Sequence, residues 1–332
     1  MKRKNYQIII YLFLFNFLFR LSFTFPQEID TSVVLGRFKL LKIVDGDTFK
    51  FEKMDNSTRL LCIDTEEMFK GKDAEKKANE IAVNWPEFYL QKKGDSKMPA
   101  KVDTPFGYEA YLWAKEFMKG IDSVTLELDD NIRTIDMYNR NLVYVIVYKN
   151  GRRMNYNLEC IKNGYSPYFM KYGYSRRFHS DFVDAQNEAK KKKVGIWDNS
   201  TKCYPDYEQR IIWWEKRANQ LSNFENNYTG RSDVFSLLSG NFNDLDSLIG
   251  KDIIVFGTIS EVLAKSNKYL LIMPHSRGES IDLTIYEENY EVLKGLNLEE
   301  LSEFNVYAKG KLEKHDKYYN IKIESARQIW IE

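Results

Sequence analysis

The sequence predicts a mainly β protein with added helices, built as two small barrels of five strands joined by a long helix. Three observations carry that expectation. Short segments of period-two apolar alternation cluster in residues 36–148 and again in 252–324. Both clusters run in the order three strands, a helix, two strands, which is the order of an OB-type barrel. Between them, after Pro205, the residues Ile211, Ile212, Trp213, Trp214, Ala218 and Leu221 recur at helical spacing over 206–225.

In chain order, Phe38 to Val44 and Thr48 to Phe51 read as strands joined by the turn Asp45-Gly46-Asp47. A third strand, Thr58 to Ile63, ends at Asp64-Thr65. Residues 68–105 are lysine-rich, contain Pro86, Pro99 and Pro105, and read as a long surface excursion. Gly107 to Met118 has helical spacing, with Tyr111, Ala114 and Phe117/Met118 on one stripe. Val124, Leu126 and Leu128 alternate as a strand, and Leu142 to Tyr148 is another, closed by the turn Asn150-Gly151. Met154 to Asn163 is a helix stopped by Gly164, and Phe182 to Lys193 is a last helix running into Gly195-Ile196-Trp197. Beyond the connector, 226–240 is polar linker. The second cluster follows as Asp252 to Ser260, Tyr269 to Met273, Ile281 to Tyr286, a helix over 287–302, Asn305 to Leu312 and Tyr318 to Glu324. The two clusters share no visible residue similarity, so the repetition is one of architecture. The expected division is a leader at 1–25, a first domain at 36–200, a helical connector and linker at 205–240, and an OB-like domain at 243–332.

The composition narrows the functions. A chain of 332 residues exceeds one typical domain, and 43% hydrophobic content supplies apolar side chains for two cores. With 49 basic against 48 acidic side chains, no global positive field draws in nucleic acid, so any such contact is local. Lys2, Arg3 and Lys4 precede an apolar run from Ile8 to Phe19, the form of a secretory signal; Arg20 leaves that run short of the roughly 20 residues of a membrane span. Export is the expectation, and retention as a membrane anchor through this segment is the alternative. Cys62, Cys160 and Cys203 form neither a disulfide framework nor a zinc spacing; they leave room for one bridge, and buried free thiols are the expectation. His179, His275 and His315 stand singly, which disfavours zinc hydrolysis and a histidine base.

Chemistry concentrates between residues 45 and 67, where the chain sets Asp45, Asp47, Arg59, Asp64, Thr65 and Glu67. Asp47 lies at the tip of the first hairpin and Asp64 at the end of the third strand, ends that a twisted barrel can bring together. Two carboxylates, a backbone carbonyl and water oxygens make a hard-oxygen site suited to Ca²⁺. Glu67 can stand beside that site and reach a water, and a guanidinium fork matches phosphate oxygens. The bland alternatives are an ordinary Asp-Gly-Asp hairpin turn, arginines in surface ion pairs, and tyrosines in core packing.

Val44-Asp45-Gly46-Asp47-Thr48 followed by Arg59-Leu60-Leu61-Cys62-Ile63-Asp64-Thr65-Glu66-Glu67 resembles the staphylococcal nuclease (thermonuclease) family. Asp136-Met137-Tyr138-Asn139-Arg140-Asn141-Leu142-Val143-Tyr144 resembles the family segment with its second catalytic arginine. Ala185 to Lys190 through Gly195-Ile196-Trp197 resembles its closing helix and tryptophan. The resemblance spans about 36–197 and implies a staphylococcal-nuclease-type OB barrel. It further implies Ca²⁺ held by Asp47, Asp64 and the Thr65 carbonyl, with Glu67 as general base or water-orienting group. Arg59 and Arg140 would hold the scissile phosphate, and Tyr138 and Tyr172 would contact the nucleotide. The implied activity is an exported nuclease that cleaves DNA and RNA, preferring single-stranded or frayed substrate, to 3′-phosphate products with no small-molecule cofactor. Membrane contact is expected only through an uncleaved N-terminal segment. Two positions depart from the family pattern: Glu66 stands where it usually has proline, and Met170 where it has one of two tyrosines. The alternatives are a catalytically weak nucleic-acid-binding protein on the nuclease fold, and a surface protein whose second barrel binds a protein or polysaccharide.

Overall fold

The computed structural model describes residues 33–54, 58–136 and 138–332, apart from the side chains of residues 299, 300 and 303; the leader read at 1–25 lies outside them. Residues 33–332 form one compact unit. No helix among the described residues is long and apolar enough to cross a membrane.

The first barrel is made by β1 (Val34–Ile43), β2 (Thr48–Phe51), β3 (Thr58–Leu60), β4 (Ser123–Glu127) and β5 (Leu142–Lys149). Strand β1 is long enough to serve two neighbours. Gly36 to Lys39 pair with β4, and after an irregularity at Leu40–Lys42 the strand turns to pair with β2. The parallel pairing of Arg59 with Leu142 and Leu60 with Val143 joins β3 to β5 and closes the barrel. A sixth strand, β6 (Arg152–Asn155), extends β5. Phe49, Phe51, Leu60, Leu126 and the run from Val143 to Val147 are buried; successive residues of β5 face opposite sides, so that strand is covered by the barrel interior on one face and by helix residues such as Cys160, Ile161 and Phe182 on the other. The helices α3 (Pro105–Phe117), α4 (Tyr156–Lys162) and α5 (His179–Lys192) pack around it.

The second barrel repeats this connectivity with β8 (Asp252–Thr258), β9 (Glu261–Ala264), β10 (Lys268–Ser276), β11 (Glu279–Tyr286), β12 (Asn305–His315) and β13 (Tyr318–Lys322). Here β8 pairs with β12, its continuation β9 pairs with β10, and β11 runs parallel to β13. The Ser260 N–H, between β8 and β9, donates to the Ile272 carbonyl at 2.9 Å and completes the circuit. Short additions, β7 (Val234–Ser236) and β14 (Ile329–Trp330), lie beside β8 and β12.

A 22-residue helix, α6 (Tyr207–Tyr228), touches both barrels. Its first half buries Trp214 against Phe169 of the first barrel, with ring centroids 4.8 Å apart. Its second half stacks Phe224 on Phe256 of β8 at 4.2 Å. Trp214 thus belongs to the first barrel's core, with Trp213 packed against it, and Phe224 makes the contact to the second barrel.

Several local expectations need correction. The excursion at 68–105 is not an irregular surface loop: it folds into α1 (Ala74–Val83) and α2 (Trp85–Lys93). Trp85 and Tyr89 are buried in a small core with Phe106, Ile196, Tyr204 and Tyr207. Pro86 sits in the first turn of α2, where its missing N–H costs nothing. The third strand stops at Leu60 rather than Ile63, because Cys62 adopts a left-handed φ of 63° and turns the chain. The linker read at 226–240 holds the end of α6 and strand β7. The helix read over 287–302 is two short ones, α7 (Glu291–Lys294) and α8 (Leu298–Glu303), interrupted at Gly295. The three thiols are free and buried, as expected.

Candidate active site

The β1–β2 turn is tied down from several sides. The Asp45 carboxylate accepts from the Asp47 N–H at 3.2 Å, and Tyr156 donates to the Gly46 carbonyl at 2.7 Å. A Cβ on Gly46 would lie 2.7 Å from the Thr65 side chain, so only glycine lets this turn press against the segment that follows the third strand. Across that contact the Thr65 N–H donates to Asp47 Oδ2 at 2.9 Å, and the Thr48 hydroxyl donates to Asp47 Oδ1 at 3.0 Å. On the other side, Ser166 Oγ accepts the Asp64 N–H at 2.8 Å. The left-handed Cys62 makes this possible, since its carbonyl is taken by the Phe169 N–H at 2.9 Å while the chain swings Asp64 inward.

Asp47 and Asp64 meet on one guanidinium. Arg59 Nη1 contacts Asp47 Oδ1, and Arg59 Nη2 lies 2.5 Å from Asp64 Oδ1 and donates to the Ile63 carbonyl at 3.1 Å. The Phe169 ring lies beneath the guanidinium carbon at 5.4 Å. Burial works against the Arg59 charge, but Asp47 and Asp64 outweigh it and hold its pKa above the ordinary arginine range. Burial likewise opposes ionisation of Asp64, yet Lys101 and Arg59 hold that carboxyl down at about 2. Asp45, with no such partner, is pushed up to about 7 by burial and then by the neighbouring Asp47 charge.

Glu67 stands at the rim, with about a third of its side chain exposed, and Lys101 Nζ bridges it to Asp64: 2.7 Å to Glu67 Oε1 and 3.3 Å to Asp64 Oδ1. Arg140 comes from the β4–β5 connection. Asp136 builds that loop by accepting the backbone N–H groups of Tyr138 and Arg140, both at 3.0 Å. It then holds Arg140 as a fork, 2.8 Å to Nε and 2.6 Å to Nη2. Tyr138 is exposed, with the Arg140 guanidinium 5.3 Å over its ring. Burial raises the Tyr172 phenol, which sits in the fields of Arg59, Asp136, Arg140 and Asp64 together. Met170 is buried in the first core and offers no surface for a base.

The residue types fit a hard divalent cation: two aspartates converge on one point beside the Thr65 backbone, with no nitrogen or sulfur ligand among them. Among the described residues no three His, Cys, Asp or Glu side chains gather as a metal cluster. In this structure Arg59 and Lys101 neutralise those carboxylates.

Residues 58–199 match the family model for staphylococcal nuclease homologues. They form a domain of that family. The match takes in Arg59, Asp64, Thr65, Glu67, Tyr138, Arg140 and Tyr172, while Asp47 reaches the site on the hairpin just before it. Over 162 residues, 48% of this chain and 70% of the relative, the sequence is 28% identical to an uncharacterized protein of Methanocaldococcus jannaschii. The staphylococcal nuclease homologue domain is of a nuclease type that binds nucleic acid.

Within this domain Glu66 has a structural task. Its side chain turns away from Glu67 and is buried, accepting from the Thr104 hydroxyl, from the Tyr204 N–H at 2.6 Å and from the Tyr207 hydroxyl at 2.7 Å. It ties the Asp64–Glu67 segment to the cap of α3 and to the start of α6. Burial pushes its carboxyl up to about 7 in spite of those donors. Sequence reasoning missed two other residues of the nuclease domain. Lys101 lay hidden in the lysine-rich excursion, where nothing set it apart from its neighbours. Gly107 read only as a helix start, yet a Cβ there would lie 2.0 Å from the Glu67 carbonyl oxygen.

Proposed function

We propose that the protein is an exported, calcium-dependent nuclease that hydrolyses phosphodiester bonds of DNA and RNA, preferring single-stranded or frayed substrate and leaving 3′-phosphate ends. The observation that carries this reading is the convergence of Asp47 and Asp64 on the Arg59 guanidinium, with Glu67 bridged to Asp64 by Lys101. Asp47, Asp64 and the Thr65 carbonyl would hold Ca²⁺, which when bound supplies positive charge beside the phosphate. Glu67, at the rim, takes a proton from the attacking water or orients it. Arg140, held at Nε and Nη2 by Asp136, would present its remaining donors to the phosphate. Arg59, anchored on Asp47, Asp64 and the Ile63 carbonyl, would add its positive charge to the phosphate from beside the cation site. Tyr138 lies open beside Arg140, where a ring can pack against the nucleotide.

Export rests on Lys2-Arg3-Lys4 and the apolar run that follows; N-terminal sequencing of protein recovered outside the cells tests it, and an intact N-terminus held in membranes would favour the anchor. For the activity, denatured DNA and RNA are incubated with the purified protein in Ca²⁺ or in EDTA, with end-group analysis of the fragments. Digestion in Ca²⁺ alone, with 3′-phosphate ends, is expected. Binding without digestion in either condition favours a nucleic-acid-binding role instead.

A further inference from the structure

Lys101 is held differently from the other cation on these carboxylates. Its backbone is fixed on both sides. The Ala100 N–H donates to the Tyr89 hydroxyl at 3.3 Å, and the Ala100 carbonyl accepts from Arg210 of α6. The Val102 carbonyl accepts the Tyr204 hydroxyl at 2.6 Å, and the Thr104 N–H donates to the Glu67 carbonyl at 2.9 Å. Thus α2, the start of α6 and the Asp64–Glu67 segment together set the point from which the Lys101 side chain reaches. The side chain itself is 49% exposed, whereas Arg59 is 7% exposed. A buried, planar guanidinium on three acceptors stays in place; a half-exposed ammonium on a four-carbon stem can leave for water.

The two carboxylates it bridges have different proposed tasks, Asp64 as a cation ligand and Glu67 as the group that handles water. An ammonium at 2.7 and 3.3 Å from them occupies lone pairs those tasks need, and it repels any divalent cation arriving at Asp64. We propose that Lys101 is a tethered counter-cation which holds Asp64 and Glu67 until a divalent cation displaces it. It thereby sets the cation concentration at which the site loads. Loading is then an exchange of one cation for another rather than a simple addition, and the acidic cluster stays compensated before it occurs. This inference rests on the calcium reading above.

Calorimetric titration of the purified protein with CaCl₂ tests it, comparing wild type with Lys101→Met and with Lys97→Met. The second variant makes the same charge change on an exposed lysine of the same segment. Lys101→Met is expected to bind Ca²⁺ about three- to tenfold more tightly, the range given by losing partly exposed ion pairs. Lys97→Met should stay within about twofold of wild type, since a screened surface charge contributes little. In EDTA the Lys101→Met protein should melt below wild type, and saturating Ca²⁺ should close that gap. A misfolded variant cannot gain affinity, so the readout separates a local role from damage. Equal or weaker binding by Lys101→Met overturns the inference and leaves the cation site standing, as does equal tightening in Lys97→Met. No Ca²⁺ binding by wild type or by Lys101→Met removes the calcium reading and this inference together.

Discussion

The two barrels have the same strand connectivity and opposite chemistry at the same end. In the first, the turn between its first two strands carries Asp45 and Asp47, the third strand leads into Asp64, and the β4–β5 connection is long enough to fold around Asp136 and present Arg140. In the second, the corresponding turn is Lys265-Ser266-Asn267, the third strand leads into the exposed Glu287 and Glu288, and Asp316-Lys317 alone joins β12 to β13. Its nearest ion pair there, Lys322 with Glu288 at 3.7 Å, lies on the surface. Barrel closure therefore does not make the site. What differs is burial of charge: Asp47 and Arg59 sit inside the first barrel's end, where an unpaired charge is costly and the whole group must be satisfied together. A fold supplies places, and side chains at those places supply the chemistry.

The sharpest test of that contrast changes one carboxylate at each end. Glu67→Gln is expected to lower kcat about 10²–10⁴-fold, the range of a lost general base, with Ca²⁺ affinity little changed. Glu288→Gln, at the matching end of the second barrel, should leave kcat as it is. Single-turnover cleavage of a short labelled oligonucleotide measures both, and a Glu67→Gln protein as fast as wild type would take Glu67 out of the mechanism.

The next test asks whether the barrels are one body. Phe224→Ala removes the ring stacked on Phe256 and should cost about 3 kcal/mol, as large-to-small changes of a buried aromatic do. The loss should appear as a separate, earlier unfolding step of the second barrel, with turnover of a short substrate retained. A single cooperative transition shifted as a whole would show that α6 couples the two more tightly than its packing implies.

A smaller effect is expected from two glycines. Gly107→Ala places a methyl 2.0 Å from the rigid Glu67 carbonyl and should cost on the order of 2 kcal/mol while lowering activity. Gly257→Ala in the second barrel meets the Leu237 side chain at 3.1 Å, which can move, and should cost under about 1 kcal/mol. Urea denaturation ranks the pair, and a reversed order would mean that the α3 cap yields more readily than the β8 wall.

How much of this was legible beforehand follows from what each feature depends on. Asp47, Arg59, Asp64, Glu67 and Arg140 stand in short ordered segments, so their types and spacing were readable, and so was the five-strand order. The left-handed Cys62 was not, because a strand-like run of apolar residues gives no local sign of a turn held by a distant Phe169 N–H. The helices α1 and α2 were hidden by their lysines and by Pro86, and their burial comes from Tyr204 and Tyr207 more than 100 residues later in the chain. Lys101 depends on that packing and was equally invisible. Glu66 was noticed as a departure, but its purpose lies in Thr104, Tyr204 and Tyr207, which only the folded chain brings to it.

Glu66 also gives the gentlest test, because it separates a structural carboxyl from the carboxyls beside it that the proposed function uses. Its ordinary pKa of 4.5 is raised to about 7 in the fold by burial. Below 4.5 the group is protonated in both states and opposes nothing. Between 4.5 and 7 the unfolded chain gives up the proton while the folded one keeps it, so stability falls as pH rises, by at most about 1.4 kcal/mol per pH unit. Above 7 both states are ionised and the fall stops. Glu66→Gln imitates the protonated form: its amide oxygen accepts from Tyr204 and Tyr207, and its NH₂ can donate to the Thr104 oxygen. The variant should match wild type near pH 4.5 and become the more stable of the two toward pH 7. Thermal melts of both proteins across that window, read as a difference, isolate this carboxyl from the others that titrate there. A difference that stays flat, or that moves toward wild type as pH rises, would mean that the three donors outweigh burial and keep Glu66 ionised throughout.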